Sequence, residues 1–198
     1  MKRLVVAITG ATGVIYGIRL LERLRGLPEI ETHLIVSAPG KRTILEETDY
    51  ALRDVEALAH RVHDNRDIGA SLASGTFRTA GMVITPCSIK TASAVAYCRS
   101  DTLIARAADV TLKEGRPLVM LIRETPLHAG HLRCMLALAE MGAILLPPVP
   151  AFYHRPKDLE DVIAHTLARA LDRLGVSLPG APEWQGTHPR AADGPADA

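Results

Sequence analysis

Thr9-Gly10-Ala11-Thr12-Gly13-Val14-Ile15-Tyr16-Gly17 stands between a short apolar run, Leu4–Ile8, and an amphipathic stretch, Val14–Arg25. The apolar run is rich in β-branched residues, as a parallel strand covered on both faces should be. Strand, glycine-rich turn and helix in that order form a cradle for a phosphate. The glycines admit close approach, and the first free N–H groups of the helix point at the anion. A glycine-rich first turn also serves as a packing device, and the loop does not say which phosphate it takes.

The alternation continues along the chain. His33–Val36, Met82–Thr85, Leu118–Ile122 and Ala143–Leu146 read as four more strands. Helical patterns cover 41–48, 91–96, 103–112, 131–141 and 159–174; Gly142 and Gly175 stop the last two. Ala57–Phe77 is weakly patterned and reads as an excursion from the core. Five strands with intervening helices predict an α/β fold, a flavodoxin- or Rossmann-like doubly wound parallel sheet forming a single domain over residues 1–175. Residues 176–198 are dominated by Pro, Gly and Ala and are expected to be an extension with a disordered end; Trp184 within it reads as an anchor or interface residue.

Bulk composition narrows the class. With 198 residues, 47% hydrophobic and 23% charged, the chain suits one soluble domain. A formal net charge of +1 argues against a nucleic-acid binder. The apolar runs are too short to span a membrane, and Met-Lys-Arg leads straight into a strand rather than a signal peptide, so a cytoplasmic protein is expected. Cys87, Cys98 and Cys134 have neither an even count nor CxxC spacing, which predicts reduced thiols and no metal site.

Ligands of doubly wound sheets sit beyond the carboxyl ends of the strands. Thr9–Gly13, Ser37, Pro86–Thr91 and Arg123–Thr125 all follow predicted strands directly and are expected to converge on one edge. The acidic residue that would hold an adenosine ribose is missing; Ser37-Ala38 stands there and suits a flavin better. Ser88, Ile89, Lys90 and Thr91 offer hydroxyls and N–H donors at a helix start, a second phosphate-type nest, although plain N-capping by Ser88 would serve equally. Arg106 and Lys113 are seven apart and share a helix face, and Arg123 follows a buried-type strand; these cations suit a diffuse dianion. Glu47 and Glu124 are candidate proton carriers, with Glu47 equally readable as a solvated helix carboxylate beside Glu46. His128 and His131 read as structural or exposed. Tyr153 and Arg169 are placed to close over a small ligand.

Taken in order, Gly10–Gly13 with Tyr16-Gly17, Glu47-Thr48-Asp49, Pro86-Cys87-Ser88, Arg106–Val110, Leu112-Lys113-Glu114, Arg123–His128 and Phe152-Tyr153-His154 resemble the UbiX-like flavin prenyltransferases, from residue 3 to about Trp184. The wording of Ser88–Thr91 and Arg123–His128 is closest to the branch that accompanies hydroxyaryl-acid decarboxylases. The resemblance implies a metal-independent transferase. Reduced FMN is expected at Gly10, Ala11, Thr12, Ser37, Ser88, Ile89, Lys90, Thr91 and Arg123. Dimethylallyl monophosphate is expected with its phosphate on Lys113, Arg123, Tyr153 and Arg169, with Arg106 close by. Thr12, where the family usually has Ser, would join Glu47 in proton transfer, and Glu124 would protonate the leaving phosphate. The prenyl group goes to flavin N5 and then C6, and the prenylated FMN goes to a UbiD-like decarboxylase. A homo-oligomer is implied, a dodecamer with sites at subunit interfaces.

Three other readings share parts of this pattern. An FMN-dependent cysteine decarboxylase would call for an Asn-rich substrate segment, and Ser88–Thr91 holds no Asn. A nicotinamide dehydrogenase lacks its ribose carboxylate here. A non-catalytic FMN-carrying accessory subunit of an aromatic acid decarboxylase would bind flavin and transfer nothing.

Overall fold

A computed structural model describes residues 1–177; Trp184 and most of the predicted extension lie outside the described residues. Six strands form the sheet: β1 (Lys2–Ile8), β2 (Ile30–Val36), β3 (Arg61–Asp64), β4 (Gly81–Cys87), β5 (Leu118–Ile122) and β6 (Ile144–Leu145). All pairings are parallel, in the order β3-β2-β1-β4-β5-β6. The helices are α1 (Ile15–Arg25), α2 (Ala38–Glu47), α3 (Leu52–Glu56), α4 (Ile89–Ala96), α5 (Leu103–Lys113), α6 (Ala129–Glu140) and α7 (Leu159–Asp172). None of them is long and apolar enough to cross a membrane.

The period-2 geometry of the strands splits the core into two layers. Leu4, Val6 and Ile8 of β1 face α1 and α7 with Leu20, Leu21, Leu167 and Leu171. Val5 and Ala7 face the other way, toward α4, α5 and α6 with Val95, Ile104 and Leu138. Gly17 lets α1 lie directly on the sheet: a Cβ there would come within 2.6 Å of the Thr85 carbonyl oxygen. No side chain fits that approach, so this glycine of the opening motif serves packing.

Two expectations change. The sheet has six strands, not five, because Arg61–Asp64 within the weakly patterned excursion pairs along β2 as an edge strand. Most of its side chains are exposed, so it never shows the apolar run of a covered strand. The predicted helix 41–48 begins earlier, at Ala38, because Ser37 caps it and Pro39 takes an early position where a missing N–H costs nothing. The short α3 was not foreseen.

The order β3-β2-β1-β4-β5-β6 puts the reversal of strand order between β1 and β4. The loops after those two strands therefore diverge to opposite faces and open a crevice at the carboxyl edge.

Candidate active site

Thr9 stitches the two diverging loops together. Its hydroxyl donates to the Pro86 carbonyl at 2.7 Å and accepts from the Ser88 N–H at 2.8 Å. It is 1% exposed, so both bonds are shielded from water. The sequence places Thr9 at this edge with the rest of its loop but does not reveal this role. A Thr before the first glycine carries no signal of its own until β4 is known to lie beside β1.

Ser37 and Ser88 cap α2 and α4. Ser37 Oγ accepts from Gly40 N–H at 3.0 Å, and Ser88 Oγ accepts from Thr91 N–H at 3.3 Å and lies 3.1 Å from the Thr91 hydroxyl. The capping reading of Ser88 holds, and the cap fixes the start of α4 beside the crevice. That crevice has a volume of about 540 Å³ and is bordered by Gly10, Ser37, Asn65, Ser88, Lys90 and Thr91. Ala11 and Thr12 continue its loop, with Thr12 exposed, while Ile89 opens α4 and leans on the core. Asn65 follows β3 and was not foreseen. Its side-chain oxygen accepts from Ile104 N–H at 3.0 Å, so it ties the edge strand to the start of α5.

Glu47 is exposed but not loose. Its carboxylate accepts from Gly13 N–H at 2.8 Å and Val14 N–H at 3.3 Å, capping α1 from outside that helix. Gly13 has φ of +94°, the left-handed region, and this turns both N–H groups to one side. Val14 as N-cap offers no side-chain acceptor, so Glu47 supplies one.

Arg123 follows β5 on the same edge, its N–H bonded to the Cys87 carbonyl at 3.0 Å and its side chain exposed. Glu124 bonds the Thr125 N–H at 3.1 Å. His128 accepts from Gly130 N–H at 3.0 Å as the cap of α6, and its ring lies tilted against that of His131 with centroids 3.6 Å apart.

The last helix returns to this corner. Arg19 forks onto Glu160 with contacts of 2.9–3.1 Å, so α7 is held against the first turns of α1. Arg169 lies one turn beyond His165 on α7. Tyr153 joins it, its hydroxyl 2.9 Å from His165 Nε2. Burial, then His154 and Arg169 nearby, lower the His165 pKa below its ordinary value.

Arg106 and Lys113 stand apart. They share a face of α5 as their spacing required, but line a separate hollow of about 540 Å³ with Arg78, Glu114 and Arg116. Arg106 bonds Asp109 at 2.8 Å and the Ala73 carbonyl at 3.2 Å; Lys113 bonds Glu114 at 3.0 Å. Lys113 ends α5 just before β5 begins, so it sits at the amino edge of the sheet. β5 is five residues long, and at about 3.3 Å per residue the strand separates Lys113 from Arg123 within one chain. Within one chain Lys113 is therefore not brought together with Arg123. A shared helix face says nothing about which end of the sheet that face reaches.

The donor set suits a flavin mononucleotide. Hydroxyls, backbone N–H groups at two helix starts and Lys90 are suited to its phosphate and ribityl chain; Ser37-Ala38 rather than a carboxylate follows β2, where an adenosine ribose would need one, and Asp101 at the crevice rim is paired with Arg99 at 2.9 Å. Among the described residues no group of three or more His, Cys, Asp or Glu is arranged to hold a metal ion. Cys87 and Cys134 are buried and Cys98 exposed, all unbridged; burial pushes the Cys87 thiol pKa up.

The Flavoprotein family profile matches residues 1–168. The flavin prenyltransferase UbiX of Escherichia coli K12 is 57% identical over 188 residues, covering 94% of this chain and all of that protein. Among solved structures, AnUbiX (PadA1) in complex with FMN and dimethylallyl pyrophosphate superposes with a TM-score of 0.92 at 46% identity, covering 94% of this chain and 99% of that one. A dodecameric FMN-dependent UbiX-like decarboxylase from Escherichia coli O157:H7 superposes with a TM-score of 0.90 at 49% identity, covering 93% and 100%.

Proposed function

The chain belongs to the flavoprotein family and, within it, to the UbiX-like flavin prenyltransferases, and from that premise we propose how its own residues carry out prenyl transfer. Reduced FMN binds in the carboxyl-edge crevice through Gly10–Thr12, Ser37, Ser88–Thr91 and Arg123. Dimethylallyl monophosphate lies over it, its phosphate held by Arg123, Tyr153 and Arg169. One observation carries this reading: two capped helix starts open on a crevice at the strand-order reversal.

The bound flavin supplies a flat, electron-rich surface and two nucleophilic positions, N5 and then C6. The protein does the rest. Breaking the allylic C–O bond releases a phosphate dianion, and guanidinium forks and a phenol stabilise it where charge develops. A water-poor crevice protects the allylic cation until it bonds to N5. Ring closure moves a proton, and Glu47 with the Thr12 hydroxyl is the route; Glu124 gives a proton to the departing phosphate.

Lys113 and Arg106 complete the cage from a neighbouring subunit of a homo-oligomer, a dodecamer. Their position at the amino-edge hollow of their own chain, and the dodecameric state of the O157:H7 relative, support this arrangement. The prenylated FMN is handed to a UbiD-like decarboxylase.

The deciding experiment incubates the purified protein with reduced FMN and dimethylallyl monophosphate, with no partner present. Mass spectrometry is expected to show a flavin heavier by one cyclised prenyl unit. Flavin recovered unchanged would leave only an FMN-carrying subunit. Carbon dioxide from a cysteine-terminated peptide, without prenylation, would make the protein a thiol-oxidising decarboxylase.

A further inference from the structure

We propose that His165 is a positioning residue for prenyl transfer: it donates its Nε2–H to the Tyr153 phenol oxygen, so that the phenol's own proton is the one offered to the prenyl phosphate. The inference rests on the reading that Tyr153 and Arg169 hold that phosphate.

The geometry is specific. The Tyr153 hydroxyl lies 2.9 Å from His165 Nε2, with the two rings edge to face at 81°. Tyr153 is half-exposed, whereas His165 is 7% exposed, so the imidazole is the fixed partner and the phenol the one that reaches outward. His165 is itself clamped. The His154 ring stacks on it at 4.4 Å, and His154 is anchored through Nδ1 to the Ala151 carbonyl at 3.0 Å. A carbonyl only accepts, so His154 carries its hydrogen on Nδ1. The turn that presents both side chains is closed by Arg155 N–H on the Phe152 carbonyl, with Arg155 at φ +52°. A non-glycine residue held there is costly and persists only where the surroundings enforce it.

Proton counting selects the tautomer. A phosphate dianion accepts hydrogen bonds and donates none. A phenol has one hydrogen; if that hydrogen goes to His165, the phosphate meets only lone pairs and is repelled. With Nε2–H as donor, the phenol oxygen accepts from the imidazole and its O–H turns to the phosphate. Burial first, then the neighbouring His154 and Arg169, keep the imidazole pKa below its ordinary value. The ring is therefore neutral, with one N–H to place. Arg169, one turn further along α7, then provides the charge while the His165–Tyr153 pair provides direction.

The test uses the FMN-loaded protein and its binding of dimethylallyl monophosphate by calorimetry, alongside KM and kcat. His165→Asn removes the group at the Nε2 position, whereas His165→Gln places an amide N–H there. Asn is expected to weaken ester binding and raise KM about tenfold, the worth of one hydrogen bond serving a charged group. Gln should recover most of that loss, and FMN affinity should change in neither. In a Tyr153→Phe background His165→Asn should add nothing, since the residue acts through the phenol. Asn binding the ester as well as Gln, or a full tenfold penalty persisting without the phenol, overturns the inference. His165→Phe serves as a second, apolar removal of the donor and should match Asn. A wild-type protein that binds FMN but not the ester overturns the reading beneath it, and the inference with it.

Discussion

Glu47 shows how one side chain serves two tasks. Its carboxylate receives the N–H groups of Gly13 and Val14, which fixes both the start of α1 and the position of an acid beside the phosphate loop. Glu47→Gln keeps an oxygen for the two N–H groups, which share Oε2, but removes the charge that strengthens both bonds. The variant is expected to lose about 1 kcal/mol of stability, read as a lowered denaturation midpoint. Its flavin product should stall after N5 alkylation, identified by mass spectrometry and absorbance; complete ring closure by this variant would remove Glu47 from proton transfer. Thr12 keeps the hydroxyl of the Ser usual in the family and adds a methyl that stiffens its rotamer. The hydroxyls of Ser37 and Ser88 were legible as ligands or caps from their place after apolar runs. Thr9 and His165 were not. Each acts on a residue far away in the chain or across a turn, and residue type without a partner does not signal that role.

Among the elements, β3 and the short α3 were hidden in the sequence, and β3 carries the clearest pH response. Pairing β3 on β2 brings His63 Nε2 within 2.9 Å of His33 Nδ1, and His33 is 3% exposed. Burial first, then the charge of His63, lowers the His33 pKa to about 4; burial also lowers that of His63. Folding thus favours the neutral imidazole. The unfolded chain binds the extra proton between the ordinary value of 6.5 and about 4. Stability is therefore full above pH 6.5, falls as pH drops through that window, and levels below about 4. The lowering corresponds to about 3 kcal/mol from His33. Denaturant melts across this range should show the fall, and His33→Gln should flatten most of it; an unchanged slope in that variant would assign the response elsewhere. The central strands were readable because a covered parallel strand is a continuous apolar run. An edge strand with most side chains in water has no such pattern, and its existence depends on the neighbour it pairs with.

For the whole molecule, the decisive fact is that the cations expected to share one phosphate do not lie at one edge of one sheet. Arg123 stands at the carboxyl edge, and Lys113 and Arg106 line the amino-edge hollow. If neighbouring subunits complete each other's cages, Lys113→Ala and Arg169→Ala should each abolish prenyl transfer while FMN still binds. Co-assembling the two inactive variants should then restore a fraction of wild-type turnover, because some sites receive an intact lysine from one subunit and an intact arginine from another. Mixed oligomers that stay inactive would place both groups in the same chain's site or remove one of them from the reaction.

The fold class, the phosphate loop, the helix-capping serines and the resemblance to a transferase family were all present in local order along the chain, because strand pattern, turn chemistry and motif spacing are properties of neighbouring residues. The loop stitch at Thr9, the carboxylate cap from Glu47, the clamp on Tyr153 and the separation of Lys113 from Arg123 arise only once β4 lies beside β1 and α7 beside α1. Those relations join residues set apart in the chain, by twelve positions for Tyr153 and His165 and by 79 for Thr9 and Ser88. Hydrogen bonds and charges act over a few ångströms of space, and spacing in a chain does not measure that distance.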